Sequence, residues 1–405
     1  MPVNRIYYMG YSMRKEYILK HKNNEVIYFD MDNEKYKLLS IGKIVNYDRL
    51  PFSLEYKDNL IECAIQLNAW IRGRGLSGSR KDLNDIKKLF NINEECKLIV
   101  ESYGMNVTDH YWIHESDKDL KWENLNCFDN IFDEIKIGDN NDPTLDKGVK
   151  EKSPNFCVDG SIQKRWIINE KGERALLKGS RYEMMQEPFN EVIAAKLLEE
   201  FGIKNHVRYN LKRTDDNLPY SECLTMSDKN NEFINAQWIL GLENYGMKYI
   251  YNHYIDICKR NNIKDAKERI DEMIALDFLI GNEDRHKGNF GIIRNSDNLQ
   301  WIKIAPIFDN GNCLFFDKNK DNIVDCGIDS LGKSFGYSNR LQLNVIDYPE
   351  WYNNKGKKII DIVEYYLKCN ERMPDIVKDK VIDITKKRVD VFENIIKQKS
   401  EEIIT

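Results

Sequence analysis

No stretch of this 405-residue chain stays apolar and uncharged for the ~20 residues a membrane span needs, so no transmembrane segment is expected. The N-terminus, MPVNRIYYMGYSMRKEY, has no apolar core of the signal-peptide kind, and no export signal is read there. Paired cysteines are missing too. The nine cysteines are odd in number and scattered without zinc-type spacing, which argues against both a disulfide framework and a zinc ribbon. They read as reduced thiols of a cytoplasmic protein. Charge of one sign is also lacking. With 61 basic and 66 acidic side chains the net charge is −5, which speaks against broad electrostatic binding of nucleic acid. Short basic runs such as Lys386-Lys387-Arg388 are expected to be solvated helix surface.

What remains is an ordinary globular composition, 41% hydrophobic and 31% charged, long enough for two or three domains. Residues up to about 50 are rich in Tyr, Ile and Val and predict strands. LIECAIQLNAWIR (60–72) and DLNDIKKLF (82–90) carry helical spacing, and ESYGMNVTDHYWI (101–113) suggests a strand or hairpin. In TDHYWI the aromatic residues read as core in preference to interface. GRGLSG (73–78) matches G-x-G-x-x-G, but a helix rather than a strand precedes it, so it is read as a loop between helices. The polar, turn-rich segment 138–152 is the expected linker. It separates an N-terminal α/β domain (1–137) from a β-rich part (153–226) and a largely helical part (227–405). QKRWII and RALLKG predict a hairpin around NEKGE. EPFNEVIAAKLLEEFG predicts a helix begun by Pro188 and stopped by Gly202, and AKERIDEMIALDFLI predicts another.

That second helix runs into IGNEDRHKGNFG (280–291), which sets Asp284, Arg285, His286 and Asn289 within six positions. A hairpin follows, then Asp309 in IAPIFDNGN. Phosphoryl transfer needs a group that orients and deprotonates the attacking hydroxyl, and oxygen ligands for magnesium on the phosphates. One Asp and one Asn suffice as protein ligands, because Mg²⁺ keeps several waters. An Asp, an Asn five residues on, a hairpin and a second Asp supply that set.

DRHKGNFG followed by IAPIFDNG resembles the signature of the HipA-like serine/threonine kinases, and more distantly the D-R-H-x-x-N and D-x-G pairing of phosphatidylinositol kinases. The resemblance covers roughly residues 153–395 and is strongest at 277–314. It implies an α+β, bilobal protein-kinase-like fold, with a β-rich nucleotide lobe and a helical lobe behind a separate N-terminal domain. It implies ATP and Mg²⁺ as cofactors, Asp284 as catalytic base, His286 as a supporting or phosphate-contacting residue, and Asn289 and Asp309 as metal ligands.

On the nucleotide side, Lys178 ends the strand RALLK and fits a phosphate-contacting lysine. Glu191 falls in register with Ala194, Ala195 and Leu198, on an inward stripe where a carboxylate needs a cation; a Lys178–Glu191 pair is expected. Gly160, Ser161 and Lys164, in CVDGSIQKRW, would cover the phosphates; chain order and the resemblance imply that Glu222, Leu224 and Met226 border the adenine. Asp277 is a candidate to orient the catalytic loop. The loop CVDGSIQKRW departs from the G-x-G-x-x-G glycine loop of eukaryotic-type kinases, and the H-R-D and D-F-G triplets are absent, departures that the HipA-like family shares. The leading reading is a protein kinase acting on a protein hydroxyl, its own included, and of toxin type with an antitoxin or regulatory partner. The alternatives are a lipid or small-molecule kinase, and a pseudokinase serving as an interaction module. Residues 1–150 do not resemble the N-terminal segment of the founding toxins, and their role is not read.

Overall fold

The computed structural model describes residues 14–54, 59–75, 95–130, 164–241, 246–336 and 338–404. The expected helix at 82–90, the linker 138–152, and Gly160 and Ser161 lie outside these residues.

The N-terminal part is built on strands β1 (Arg14–His21), β2 (Asn24–Asp32), β3 (Lys37–Ile44) and β4 (Tyr111–Glu115), ordered β3-β2-β1-β4 and antiparallel. Tyr17 pairs with Phe29 and Leu19 with Ile27, so one face of the sheet is apolar by strict alternation. Helix α1 (Leu60–Arg72) covers that face with Cys63, Leu67, Trp70 and Ile71, one helical stripe. Its start is fixed by Asn59, whose side chain accepts from the backbone N–H groups of Ile61 and Glu62. The stretch expected as strand or hairpin at 101–113 is mostly neither. Helix α2 (Glu95–Glu101) runs into it, and Tyr103 and Gly104, at φ +58° and +57°, turn the chain so that only the end becomes β4.

A second sheet holds β5 (Lys164–Ile168), β6 (Arg174–Lys178), β7 (Tyr209–Arg213) and β8 (Pro219–Leu224), ordered β5-β6-β8-β7. Helix α3 (Glu187–Phe201) lies on it through Val192 and Ala195, which meet Tyr209 and Cys223. Beyond come β9 (Asn231–Asn235), α4 (Ala236–Leu240), α5 (Met247–Arg260), α6 (Ala266–Ile280), β10 (Gly291–Asn295) and β11 (Trp301–Ile304). Strands β11-β10-β9 form a third, antiparallel sheet. Helices α7 (Asn339–Gln342), α8 (Gly356–Lys368) and α9 (Asp375–Ile404) close the fold.

Helix α6 is buried on every side from Ile270 to Ile280, and each large apolar side chain there contributes about 1.5–3 kcal/mol. The loop that follows it therefore starts from a fixed point. One expectation fails in α9: Lys386 and Lys387 are exposed, but Arg388 is buried against the core. Its guanidinium lies over the Phe315 ring and donates to the Ile328 carbonyl, and burial lowers its pKa to about 10. A run of three basic letters gave no sign that its third residue falls on the helix's inner face.

A buried polar cluster joins the N-terminal sheet to the third sheet. Glu232 of β9 receives Arg294 Nε of β10 at 2.6 Å, His21 Nε2 of β1 at 3.0 Å, and the His110 backbone N–H at 3.2 Å. Arg294 also donates to the Tyr111 hydroxyl at 3.1 Å. Three of these side chains, His21, His110 and Glu232, bring possible metal-ligand atoms within 4.8 Å of one another. Arg49 argues for another use: its guanidinium donates to His21 Nδ1 at 2.9 Å, which leaves Nε2 carrying the proton toward Glu232. Two guanidiniums and an N–H already serve the carboxylate and ring that a cation would need. The eight cysteines among the described residues are free thiols, and no helix there is long and apolar enough to cross a membrane.

Candidate active site

Helix α6 stops at Gly281, which takes φ +61°; a Cβ there would lie 2.1 Å from the Arg388 guanidinium. The chain then closes on itself. Asn282 Oδ1 accepts the Asp284 N–H at 3.0 Å, and Asn289 Nδ2 donates to the Asp284 carbonyl at 3.0 Å. Arg285, fully buried, is the hub. Its Nε and Nη2 donate to Asp277 at 3.1 Å each, and Nη1 donates to the Asn289 carbonyl at 3.1 Å. It also donates to the Phe308 carbonyl and the Asn310 side chain. One guanidinium thus binds the end of α6, the DRHKGN loop and the segment around Asp309.

Lys178, at the end of β6, is buried and donates to both Glu191 of α3 and Asp309. Glu191 spends its second oxygen on the Asn310 N–H at 2.8 Å. Burial opposes charge on Lys178, but Asp309 and Glu191 outweigh it and raise its pKa. Burial would likewise raise Asp309, yet Lys178 and Lys164 hold its carboxyl well below the usual carboxylate range. Glu191 is pushed up, by burial first and by the Asp309 charge, against the pull of Lys178. Asp309 itself sits at φ +58°, a backbone cost held by its surroundings. Asn190 of α3 donates to the Gly311 and Cys313 carbonyls at 2.9 and 2.7 Å, and Gln186 to the Leu314 carbonyl at 2.8 Å.

Asp284 is tied to the segment that follows Asp309. Its Oδ2 accepts from Asn312 Nδ2 at 2.7 Å and its Oδ1 from Lys333 Nζ at 3.0 Å; Asn312 in turn accepts from Arg181 at 2.9 Å. Among the described residues neither Asn289 Oδ1 nor Asp309 Oδ2 is bonded, so an amide and a carboxylate oxygen remain for a hard cation.

The structure therefore brings Lys178, Glu191, Asp284, Asn289 and Asp309 together. Lys164 opens β5 directly across from Lys178. His286 is exposed, and its Nδ1 accepts the Gly288 N–H at 3.0 Å, which folds it onto its own turn. Glu222 and Leu224 pair with Leu177 and Ala175, on the sheet face opposite Lys178; Ser221 is the β8 residue across from Lys178. Met226 lies half-buried in the turn after β8. Asn312, Arg181 and Lys333 carried no assignment in the sequence reading. Asn312 sits in the quoted FDNGN and was open to notice, whereas Lys333 reaches Asp284 from 49 positions away and no local pattern marks it.

No family model matches the chain. HipA of Shewanella oneidensis MR-1, solved with HipB and its operator DNA, aligns over 95% of this chain and 99% of its own, with a TM-score of 0.54 at 11% identity. The fold is that of the HipA-like kinases. In sequence, the serine/threonine-protein kinase CtkA of Helicobacter pylori (strain J99) is 29% identical over 142 residues, 31% of this chain and 40% of CtkA. The match thus spans about two fifths of that relative's length. The crystal structure of the Helicobacter pylori proinflammatory kinase CtkA aligns over 58% of this chain and 95% of its own, with a TM-score of 0.44 at 18% identity. The HipA-like fold here couples a β-rich sheet bearing Lys178 to the helical part bearing Asp284.

Proposed function

We propose that this chain is an ATP- and magnesium-dependent protein kinase of the serine/threonine type. It moves the γ-phosphoryl group of ATP to a protein hydroxyl, its own included. One observation carries the reading: buried Lys178 bonds both buried Glu191 and Asp309, whose carboxylate stays 31% exposed on the segment that Arg285 ties to the DRHKGN loop. A fold-only use for two carboxylates around one lysine is poor, since buried ion pairs rarely repay their desolvation. Waiting for a nucleotide explains them.

In the reaction, Asp284 orients the acceptor hydroxyl and takes its proton as the new O–Pγ bond forms and the Pγ–O bond to ADP breaks. Lys178 gives part of its bonding to the α- and β-phosphates while Glu191 keeps it aimed. Asn289 and Asp309 would hold the magnesium ion, which neutralises phosphate charge when bound. Lys164 adds positive charge beside Asp309. From β8, a base in the cleft would meet backbone atoms and Met226 rather than the side chains of Glu222 and Leu224. The protein-substrate reading gains support from the CtkA match. A HipB-like antitoxin partner, and a toxin role, are suggested by the HipA neighbour alone.

The test incubates the full chain with Mg²⁺ and γ-labelled ATP beside Asp284→Asn and Asp309→Asn. Covalent label on the parent and on neither variant is the expected result. No label together with no nucleotide binding at millimolar ATP would overturn the kinase reading.

A further inference from the structure

We propose, building on the kinase reading above, that Lys333 is a further catalytic residue. Its ammonium spans from Asp284 to the transferring phosphoryl group.

The pair itself is half exposed, 47% for Lys333 and 32% for Asp284. Such pairs contribute little to stability, so fold maintenance does not account for it. Yet the backbone that presents the lysine is held tightly. Leu331 and Lys333 are exposed while Gly332, Ser334 and Phe335 are buried. A Cβ on Gly332 would lie 2.0 Å from Gln342 Nε2 and 2.9 Å from the Ser338 carbonyl carbon. Ser334 donates to Gln342 at 2.6 Å, and Phe335 packs its ring 5.3 Å from that of Phe290. Asn339 closes the loop by donating to the Asn282 carbonyl at 2.7 Å. Asn282 is also the residue whose side chain fixes the Asp284 N–H. The same scaffold therefore sets both members of the pair.

Charge supplies the chemical reason. A hydroxyl on Asp284 in attacking position brings the phosphoryl group to about 3 Å from it, beside a carboxylate. That juxtaposition calls for a cation on the Asp284 side, beyond the magnesium that Asn289 and Asp309 would hold. Lys178, bonded to Glu191 and Asp309, is assigned to the α- and β-phosphates, and Arg285 is bonded to Asp277 and Asn310. His286, two residues after Asp284, is folded onto Gly288. Lys333 is the cation bonded to Asp284 among the described residues, and its three donors serve Oδ1 and a phosphoryl oxygen together.

The experiment compares the parent with Lys333→Met, Lys333→Arg and Asp284→Asn. It reads melting temperature, the label-transfer rate against ATP concentration, and affinity for ADP·Mg²⁺ with and without aluminium fluoride, a mimic of the transferring phosphoryl. For Lys333→Met we expect an unchanged melting temperature, unchanged ADP affinity and unchanged KM for ATP. Its kcat and its fluoride-complex affinity should both fall about 10- to 100-fold, less than for a fully enclosed donor. Lys333→Arg should recover most of both. A parent rate in Lys333→Met, or an equal loss of ADP and fluoride-complex affinity, overturns the assignment and leaves the kinase reading standing. A parent that neither transfers label nor binds nucleotide overturns both.

Discussion

Replacing Asp277 by Asn tests whether Arg285 really is the hub of the site. The change keeps shape and removes one charge. Arg285 is fully buried, and Asp277 is the carboxylate it bonds, with the Asp309 and Glu191 charges acting from farther off; its other partners are the Asn289 and Phe308 carbonyls and the Asn310 amide oxygen. Removing one partner of a buried pair costs about 3–5 kcal/mol, because the other charge stays desolvated. Three neutral acceptors stay in place, so the lower end, about 3 kcal/mol, is the expectation. At about 2 °C per kcal/mol for a cooperative unit of roughly 250 residues, melting should drop by about 6 °C. The double variant Asp277→Leu/Arg285→Met, which removes both charges, should be less destabilised than the sum of its two single variants. A thermal melt and a urea titration of the four proteins give the coupling. A drop below about 2 °C in Asp277→Asn, with additive effects in the double variant, would refute the hub. Loss of phosphoryl transfer with stability intact would instead place Asp277 in the chemistry.

Three further outcomes follow from the geometry. In the buried cluster around Glu232, burial lowers the His21 pKa from 6.5, and although burial would raise Glu232, its neighbours His21, His110 and Arg294 hold it well below 4.5. Unfolded His21 takes a proton that the folded chain refuses, so its contribution to stability is lost as pH falls below about 6.5, and that of Glu232 as pH falls further below 4.5. Urea midpoints from pH 8 to 5 should fall less steeply for His21→Asn than for the parent; parallel curves would contradict this. A Cβ on Gly291 would sit 2.0 Å from the Ile234 carbonyl oxygen across the β9–β10 ladder, so Gly291→Ala should cost at least about 2 kcal/mol. Gly172→Ala, at φ +78° in open space, should cost only about 1 kcal/mol, and matching urea midpoints would refute the difference. Lys178→Met leaves Glu191 and Asp309 without their cation; label transfer should fall by at least about 100-fold and melting should drop, while a stable variant with parent-level transfer would exclude the lysine from the site.

The parts of the site legible in the sequence are those written locally. The five-residue step from Asp284 to Asn289 lies in one loop, and Glu191 declared itself through the period of its own helix. Lys178 stood at a strand end, where the pattern could not choose its face; the β6–β8 pairing chooses it, by setting Lys178 beside Ser221. Arg285 was visible as a letter but not as a hub, because its partners Asp277, Phe308 and Asn310 converge only once α6 and the hairpin have folded. One misreading has the same origin: Arg388 looked like surface in a basic run. The aromatic residues of TDHYWI are core, as read, and His110 and Tyr111 also reach Glu232 and Arg294.

That last contact changes how the N-terminal part should be regarded. The expected polar linker lies outside the described residues, and the described part carries a sheet with an apolar core. But Glu232 and Arg294 sit on β9 and β10, and β10 begins two residues after Asn289. Pulling His21 and His110 away would strip partners from a buried carboxylate on β9, whose guanidinium partner sits on β10, the strand that anchors the end of the DRHKGN loop. The cost of such a separation is that of breaking a buried network, several kcal/mol, not that of parting two solvated surfaces. The N-terminal sheet therefore braces the strand pair that follows Asn289, and truncating it should speed amide hydrogen exchange at Gly291 and Ile292 before it does so at Lys178; equal rates in the truncated and full chains would refute this.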